Sequence, residues 1–123
     1  MIAIRRSCID MENNFLKSID FKSGHIAYNG FYIDRSIPLT RQKFLLQEDM
    51  LQVNYGPYVV DVGWYPSINP KGRFVIYLIY NSDWGNPIRK VTAKNLMMLK
   101  GRLLKVIDYC EVLISRVYAR RLG

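Results

Sequence analysis

Two hydrophobic periods divide the chain. As far as about residue 91, apolar side chains alternate with polar ones in short runs; from Thr92 onward they recur at three- and four-residue spacings. Alternation is the signature of a strand with two unlike faces, and the longer period that of an amphipathic helix. Tyr58, Val60, Val62 and Trp64 point one way, and Val59, Asp61, Gly63 and Tyr65 the other. Arg73 to Tyr80 is the strongest strand: Phe74, Ile76, Leu78 and Tyr80 make one apolar face. Its second face, Arg73, Val75, Tyr77 and Ile79, is mixed but still apolar, which places the strand inside the sheet. Pro66 and Pro70 bracket a loop closing at Lys71-Gly72, and a second loop runs from Asn81 to Pro87. Ile88 to Val91 is expected as a short edge strand, with Arg89 and Lys90 discouraging edge-to-edge pairing.

Upstream, Ile19 to Ile33 reads as a β-meander with turns at Ser23-Gly24 and Asn29-Gly30, because Asn-Gly supplies the positive φ of tight hairpins. A short helix is expected after Pro38, with Thr40 as its N-cap. Phe44 and Leu45 should face inward, Arg41 and Lys43 outward, and Glu48-Asp49 should end it. The last element is a long helix whose stripe is Leu96, Leu99, Leu103, Val106, Cys110, Leu113 and Val117, widened by Ile107 and Ile114. A stripe that broad, with Gly101 beside it, suits packing on a sheet better than a coiled-coil seam. The sum is an α+β fold: an antiparallel sheet of about five strands, a short middle helix, and a long C-terminal helix packed on one face. The other sheet face is expected to expose Asp61, Tyr65, Arg73 and Tyr77.

Length and composition add limits. A chain of 123 residues, half of them hydrophobic, is one ordinary domain with room for a core. Residues 1–10 read as an N-terminal extension, expected to be disordered, with Met11 as an alternative start; residues 11–123 read as the single α+β domain. No apolar run approaches the ~20 residues of a membrane span. Cys8 and Cys110 are far apart and neither belongs to a Cys-x-x-Cys pair, which points to a reducing, cytoplasmic compartment without a disulfide framework. The formal net charge of +8 is not spread evenly. Residues 85–123 hold nine Lys or Arg against Asp108 and Glu111, a local excess of +7. Such a concentration suits an acidic partner surface, nucleic acid or an anionic membrane, and it equally suits a solvated helix face.

Catalytic chemistry finds little to stand on. The one histidine, His25, lies in a strand with no carboxylate beside it in sequence. The chain has no phosphate-binding glycine loop, no nucleophile elbow and no spacing of His and Cys that would hold a metal. The expectation is a protein that is not an enzyme and needs no cofactor and no metal. Tyr, Trp and Arg, in contrast, are the side chains that most often anchor interfaces. Those expected outside the core give the candidate partner-binding set Asp61, Tyr65, Arg73, Tyr77, Trp84, Arg89 and Lys90, while Tyr58 and Trp64 are assigned to the core. Nucleic acid is the alternative partner. The C-terminal basic residues supply a footprint for it, but the strands lack the basic-aromatic motif of an RNA-recognition domain.

The stretch Phe21 to Ile33, then Leu39-Thr-Arg-Gln-Lys-Phe44, then the paired strands Tyr58–Tyr65 and Arg73–Tyr80, resembles the small immunity proteins of bacterial polymorphic toxin systems. The layout is closest to those of contact-dependent growth inhibition. The resemblance implies a cytoplasmic protein that binds a cognate toxin domain and blocks it by steric occlusion. It carries over no toxin-contact residue. With the basic C-terminal segment, it implies a toxin with an acidic patch that could be steered onto the helix.

Overall fold

The computed structural model describes residues 14–122; the segment expected as an extension, residues 1–10 with Cys8, and Met11 lie outside the described residues. Among the described residues, five strands form one antiparallel sheet in chain order. They are β1 (His25–Asn29), β2 (Leu51–Tyr55), β3 (Tyr58–Tyr65), β4 (Arg73–Tyr80) and β5 (Arg89–Ala93), followed by the helix α1 (Leu96–Leu122). The α+β architecture is as the sequence pattern requires.

Packing follows from strand alternation. Tyr58, Val60, Val62 and Trp64 of β3 stand opposite Tyr80, Leu78, Ile76 and Phe74 of β4, and all but Tyr80 are buried. Against this face α1 lays Leu99, Leu103, Val106, Ile107 and Cys110, with Leu96, Leu113, Ile114 and Val117 partly covered. Asn95 caps the helix, its side-chain oxygen accepting the Met98 N–H at 2.9 Å. Phe15 and Phe31 stack at 5.2 Å and close one end of the core over Phe74. Trp64 meets Phe74 edge-on at 4.8 Å and donates its indole N–H to the Asn69 carbonyl at 2.8 Å.

Several local expectations are corrected. The segment 19–33 is not a meander: it contains β1 alone, paired with β2 across the sequence. The Asn29-Gly30 pair makes no hairpin; Gly30 donates to the Met50 carbonyl, and the chain leaves the sheet toward Phe31. Only the Ser23-Gly24 turn forms, closed by Gly24 donating to Phe21 at 2.9 Å. A strand absent from the sequence reading, β2, joins β3 through a tight turn at Gly56-Pro57, where Gly56 has φ +59°. The middle helix is a 3-10 segment, Leu39–Leu45, broken at Gln42, and it begins after Pro38 with no cap from Thr40. Its three-residue period turns Leu39 and Gln42 inward, so Phe44 is left 70% exposed and Leu45 faces solvent as well. Gln42 earns its burial through hydrogen bonds: its amide donates to the Asp34 and Ile37 carbonyls, both at 2.8 Å, and its oxygen accepts the Asp34 N–H at 3.0 Å.

Candidate partner-binding site

The face of the sheet away from α1 is built by the alternate residues. Strand register aligns one row across it: Tyr28 of β1, Gln52 of β2, Asp61 of β3, Tyr77 of β4 and Lys90 of β5. Neighbours in such a row lie within about 4.5–5.5 Å of one another at Cβ, so five side chains of different chemistry form a continuous stripe. The next β3 residue on this face, Gly63, carries no side chain. The Tyr65 ring leans over it, an ideal Cβ at Gly63 falling 3.1 Å from Tyr65 Cε2. Tyr65 thereby meets Tyr77 edge-on, with ring centres 6.2 Å apart.

The β4–β5 loop supplies a wall. Asn81 and Ser82 take positive φ values of 52° and 61°, turning the chain sharply after β4. The loop is tied down by Asn81 donating to the Pro57 carbonyl and Ile88 to the Leu78 carbonyl. Trp84 is thus brought over the sheet, still 48% exposed. Asp61, Tyr65, Tyr77, Trp84 and Lys90, with Ile79 and Pro87, line a cavity of about 380 Å³. The ammonium of Lys90 stands 5.9 Å from the centre of the Tyr77 ring.

Five of the seven residues expected at an interface are therefore neighbours in one pocket, and two are not. Arg73 stands opposite Tyr65 at the end of the strands, beside a separate cavity shared with Lys71 and Lys94. Arg89 pairs with Leu78 and so belongs to the helix side of the sheet. There its guanidinium lies 4.7 Å over the ring of Tyr109, and with Arg102, Lys105, Val91 and Val106 it lines a basic groove of about 290 Å³. Alternation alone assigns Arg89 and Lys90 to opposite faces.

Asp61 also departs from expectation. It is not exposed: only 5% of its surface is accessible, and its Oδ1 has no hydrogen-bond partner in the protein. Burial first, and then the nearby Asp49 carboxylate, push its pKa up to about 6, against a hydrogen bond from Gln52 that lowers it. The Tyr65 hydroxyl is pushed up to about 12, by burial and then by Asp61, Tyr77, Glu48 and Asp49. Glu48 and Asp49 border an adjoining hollow with Tyr28, Gln47 and Ser67. Acidic charge therefore gathers on the face opposite the basic helix.

His25 is exposed on edge strand β1, opposite Asn54 and two strands from Asp61. Among the described residues, no group of three or more His, Cys, Asp or Glu is placed to hold a metal ion. Among the same residues, no helix is long and apolar enough to cross a membrane. No protein-family model, curated protein or solved structure matches the chain.

Two contributors to the site were missed in the sequence. Gln52 belongs to β2, and its alternation with Leu51 and Val53 was the available signal. Gly63 was assigned to the correct face, but its use as a seat for the Glu48 backbone, with the Tyr65 ring beside it, is a property of packing and has no sequence signature.

Proposed function

We propose that the chain is an immunity protein that binds a toxin domain through the sheet face opposite α1 and occludes it. The observation that carries this reading is the convergence of Tyr65, Tyr77 and Trp84 with Asp61 and Lys90 in one pocket on the sheet face opposite α1. Large, stiff aromatics around a partly desolvated centre are what interface anchors need. Of the segments that carry the resemblance, Tyr58–Tyr65 and Arg73–Tyr80 pair as β3 and β4, whereas Phe21 to Ile33 forms no hairpin. The partner is the toxin encoded beside the chain. Steric occlusion needs no reactive group here, only slow release from well-packed anchors.

The test is co-purification with the product of the adjacent gene, together with protection of cells expressing it. A stoichiometric complex stable in moderate salt is expected. Tyr77→Ala and Trp84→Ala should each weaken it by on the order of 2 kcal/mol, the usual scale of an anchor residue. Absence of both binding and protection would remove the reading.

The groove of Arg89, Arg102, Lys105 and Tyr109 favours a second reading, binding of a nucleic acid. It predicts retention on RNA or DNA that weakens steeply with salt as counterions are released. Lack of retention at low salt eliminates it.

A further inference from the structure

We propose that the Asp61 pocket receives a side-chain cation, the guanidinium of an arginine or the ammonium of a lysine, projected by the protein partner. This rests on the reading of a protein-binding sheet face and names the chemistry that its centre selects.

Three independent features select positive charge. The first is Asp61 itself. A carboxylate with an enclosed oxygen and no partner for it is costly, because burial removes water without replacing its hydrogen bonds. A cationic donor from outside relieves that cost, and charge-assisted bonds are the strong ones. The second is the wall. Tyr65, Tyr77 and Trp84 present aromatic rings, whose faces carry negative potential and attract a desolvated cation within about 6 Å. The third is the surrounding charge. Asp49 acts on Asp61, and Glu48 and Asp49 both act on Tyr65, so this corner is acidic within a chain of net charge +8.

The groups facing Asp61 come from every neighbouring element. Asp49 and Gln52 approach from the β2 side, Tyr65 from β3, Tyr77 from β4 and Lys90 from β5. Among the described residues, Lys90 is the only cation in the pocket lining, and it rests against Tyr77 without an ion pair to Asp61. A cavity of about 380 Å³ is ample for a single long side chain. The guanidinium is expected to hold better than the ammonium, since its plane can stack on Trp84 or Tyr77 while its edge donates to the carboxylate.

The chain's +8 calls for an acidic partner, but Arg89, Arg102 and Lys105 gather on the helix side, and the opposite sheet face asks for a basic anchor. A partner satisfying both surfaces would carry an arginine or lysine within an otherwise acidic patch.

The test is an NMR titration of the full chain with N-acetyl-arginine-N-methylamide, with the lysine analogue, and with the neutral, similarly sized norleucine analogue. Saturable shifts are expected at the backbone amides of Gln52, Asp61, Tyr77 and Lys90 and at the Trp84 indole, for one or both cations and not for norleucine. Affinity should fall about tenfold between pH 7.5 and pH 5 as the carboxylate takes up a proton, since at pH 5 a group with a pKa of about 6 is roughly one tenth ionised. Asp61→Asn should abolish the shifts while keeping a cooperative thermal transition no lower than that of wild type. Equal shifts with norleucine, retention of cation binding by Asp61→Asn, or no saturable shift with either cation would each overturn the inference. Free amino-acid amides require no toxin. A chain that protects cells yet ignores both cations therefore refutes the pocket chemistry alone, and one that binds them yet fails to protect refutes the immunity reading alone.

Discussion

Gly63→Ala and Gly101→Ala add the same methyl group and are expected to move stability in opposite directions. At Gly63 an added Cβ would lie 1.9 Å from the Glu48 carbonyl oxygen and 2.7 Å from its carbon. Both are backbone atoms and cannot rotate away. Strand β3 is paired on both sides, with β2 and β4, so the methyl cannot retreat and segment 47–50 must. That segment is held by Trp64 donating to the Gln47 carbonyl at 2.7 Å and Met50 donating to the Val62 carbonyl at 3.1 Å. Overpacking of this kind costs roughly 1–3 kcal/mol. Loosening two backbone bonds costs about 1 kcal/mol each. A loss of about 3 kcal/mol is the working figure for Gly63→Ala. At Gly101, exposed on α1, nothing lies within 4 Å of the new methyl, and the helix gains about 0.5–1 kcal/mol from the better helix former. With an unfolding entropy near 2.1 cal/mol/K per residue, 3 kcal/mol lowers Tm by about 12 °C in a domain of this size, and Gly101→Ala raises it by about 3 °C. Urea denaturation supplies the check, with the midpoint moving and the slope unchanged in both variants. A Gly63→Ala midpoint equal to or above wild type would refute the packing argument. So would Gly63→Ala and Gly101→Ala shifting the midpoint in the same direction.

Three further outcomes follow from named contacts. Asp61 has a raised pKa, so the folded state binds its proton more tightly than the unfolded chain, for which 3.8 is the ordinary value. Its contribution to stability is complete below about pH 3.8 and is lost as pH rises through about 6; allowing for screening at the pocket mouth, the loss is on the order of 2 kcal/mol. Asp61→Asn should therefore raise stability at pH 7.5 relative to wild type and leave it little changed at pH 4, as read from denaturation midpoints across that range. Glu111 accepts both the backbone N–H and the hydroxyl of Ser23, at 2.8 and 2.6 Å, fastening the turn before β1 to α1. Glu111→Ala should cost about 1 kcal/mol and speed amide exchange at Ser23 and Gly24 well before the core strands are affected. The Cys110 thiol is pushed up to about 12, by burial and then by Glu111. In a Cys8→Ser background at pH 8, a thiol reagent should label Cys110 only as fast as the protein unfolds, and rapid labelling of the native state would contradict its place in the core.

What was legible in the sequence and what was not divides along a physical line. The faces of β3, β4 and α1 could be read because burial imposes strict periods on them: Trp64 and Tyr58 fell to the core, and Leu99, Leu103, Val106 and Cys110 to the helix underside. Leu51–Tyr55 carried an equally good alternation before Gly56-Pro57, and only its position after an expected helix concealed it. The Asn29-Gly30 signal failed for a different reason. Turn propensity reports a local preference of order 1 kcal/mol, and pairing of β1 with the distant β2 outweighs it. Phe44 was misplaced because the sequence does not distinguish a 3-10 period from an α period over seven residues. In each case the decisive term was non-local.

The site shows the same division at higher stakes. Tyr65, Tyr77 and Trp84 could be nominated by residue type, but their union depends on register: Asp61 opposite Tyr77, and Tyr77 opposite Lys90. A shift of one residue in β5 would exchange Lys90 for Arg89 on this face and move a cation from the Tyr109 ring to the pocket, so the register of an edge strand decides which basic side chain borders Asp61. Net charge hides the distribution for the same reason. A sum over residues 85–123 reports +7 without recording that Arg89, Arg102 and Lys105 gather on the helix side while Asp61 and Asp49 act on the other. Register and packing decide which charges share a face: Arg89, Arg102 and Lys105 stand together beside α1, and Asp61 with Asp49 on the opposite side of the sheet.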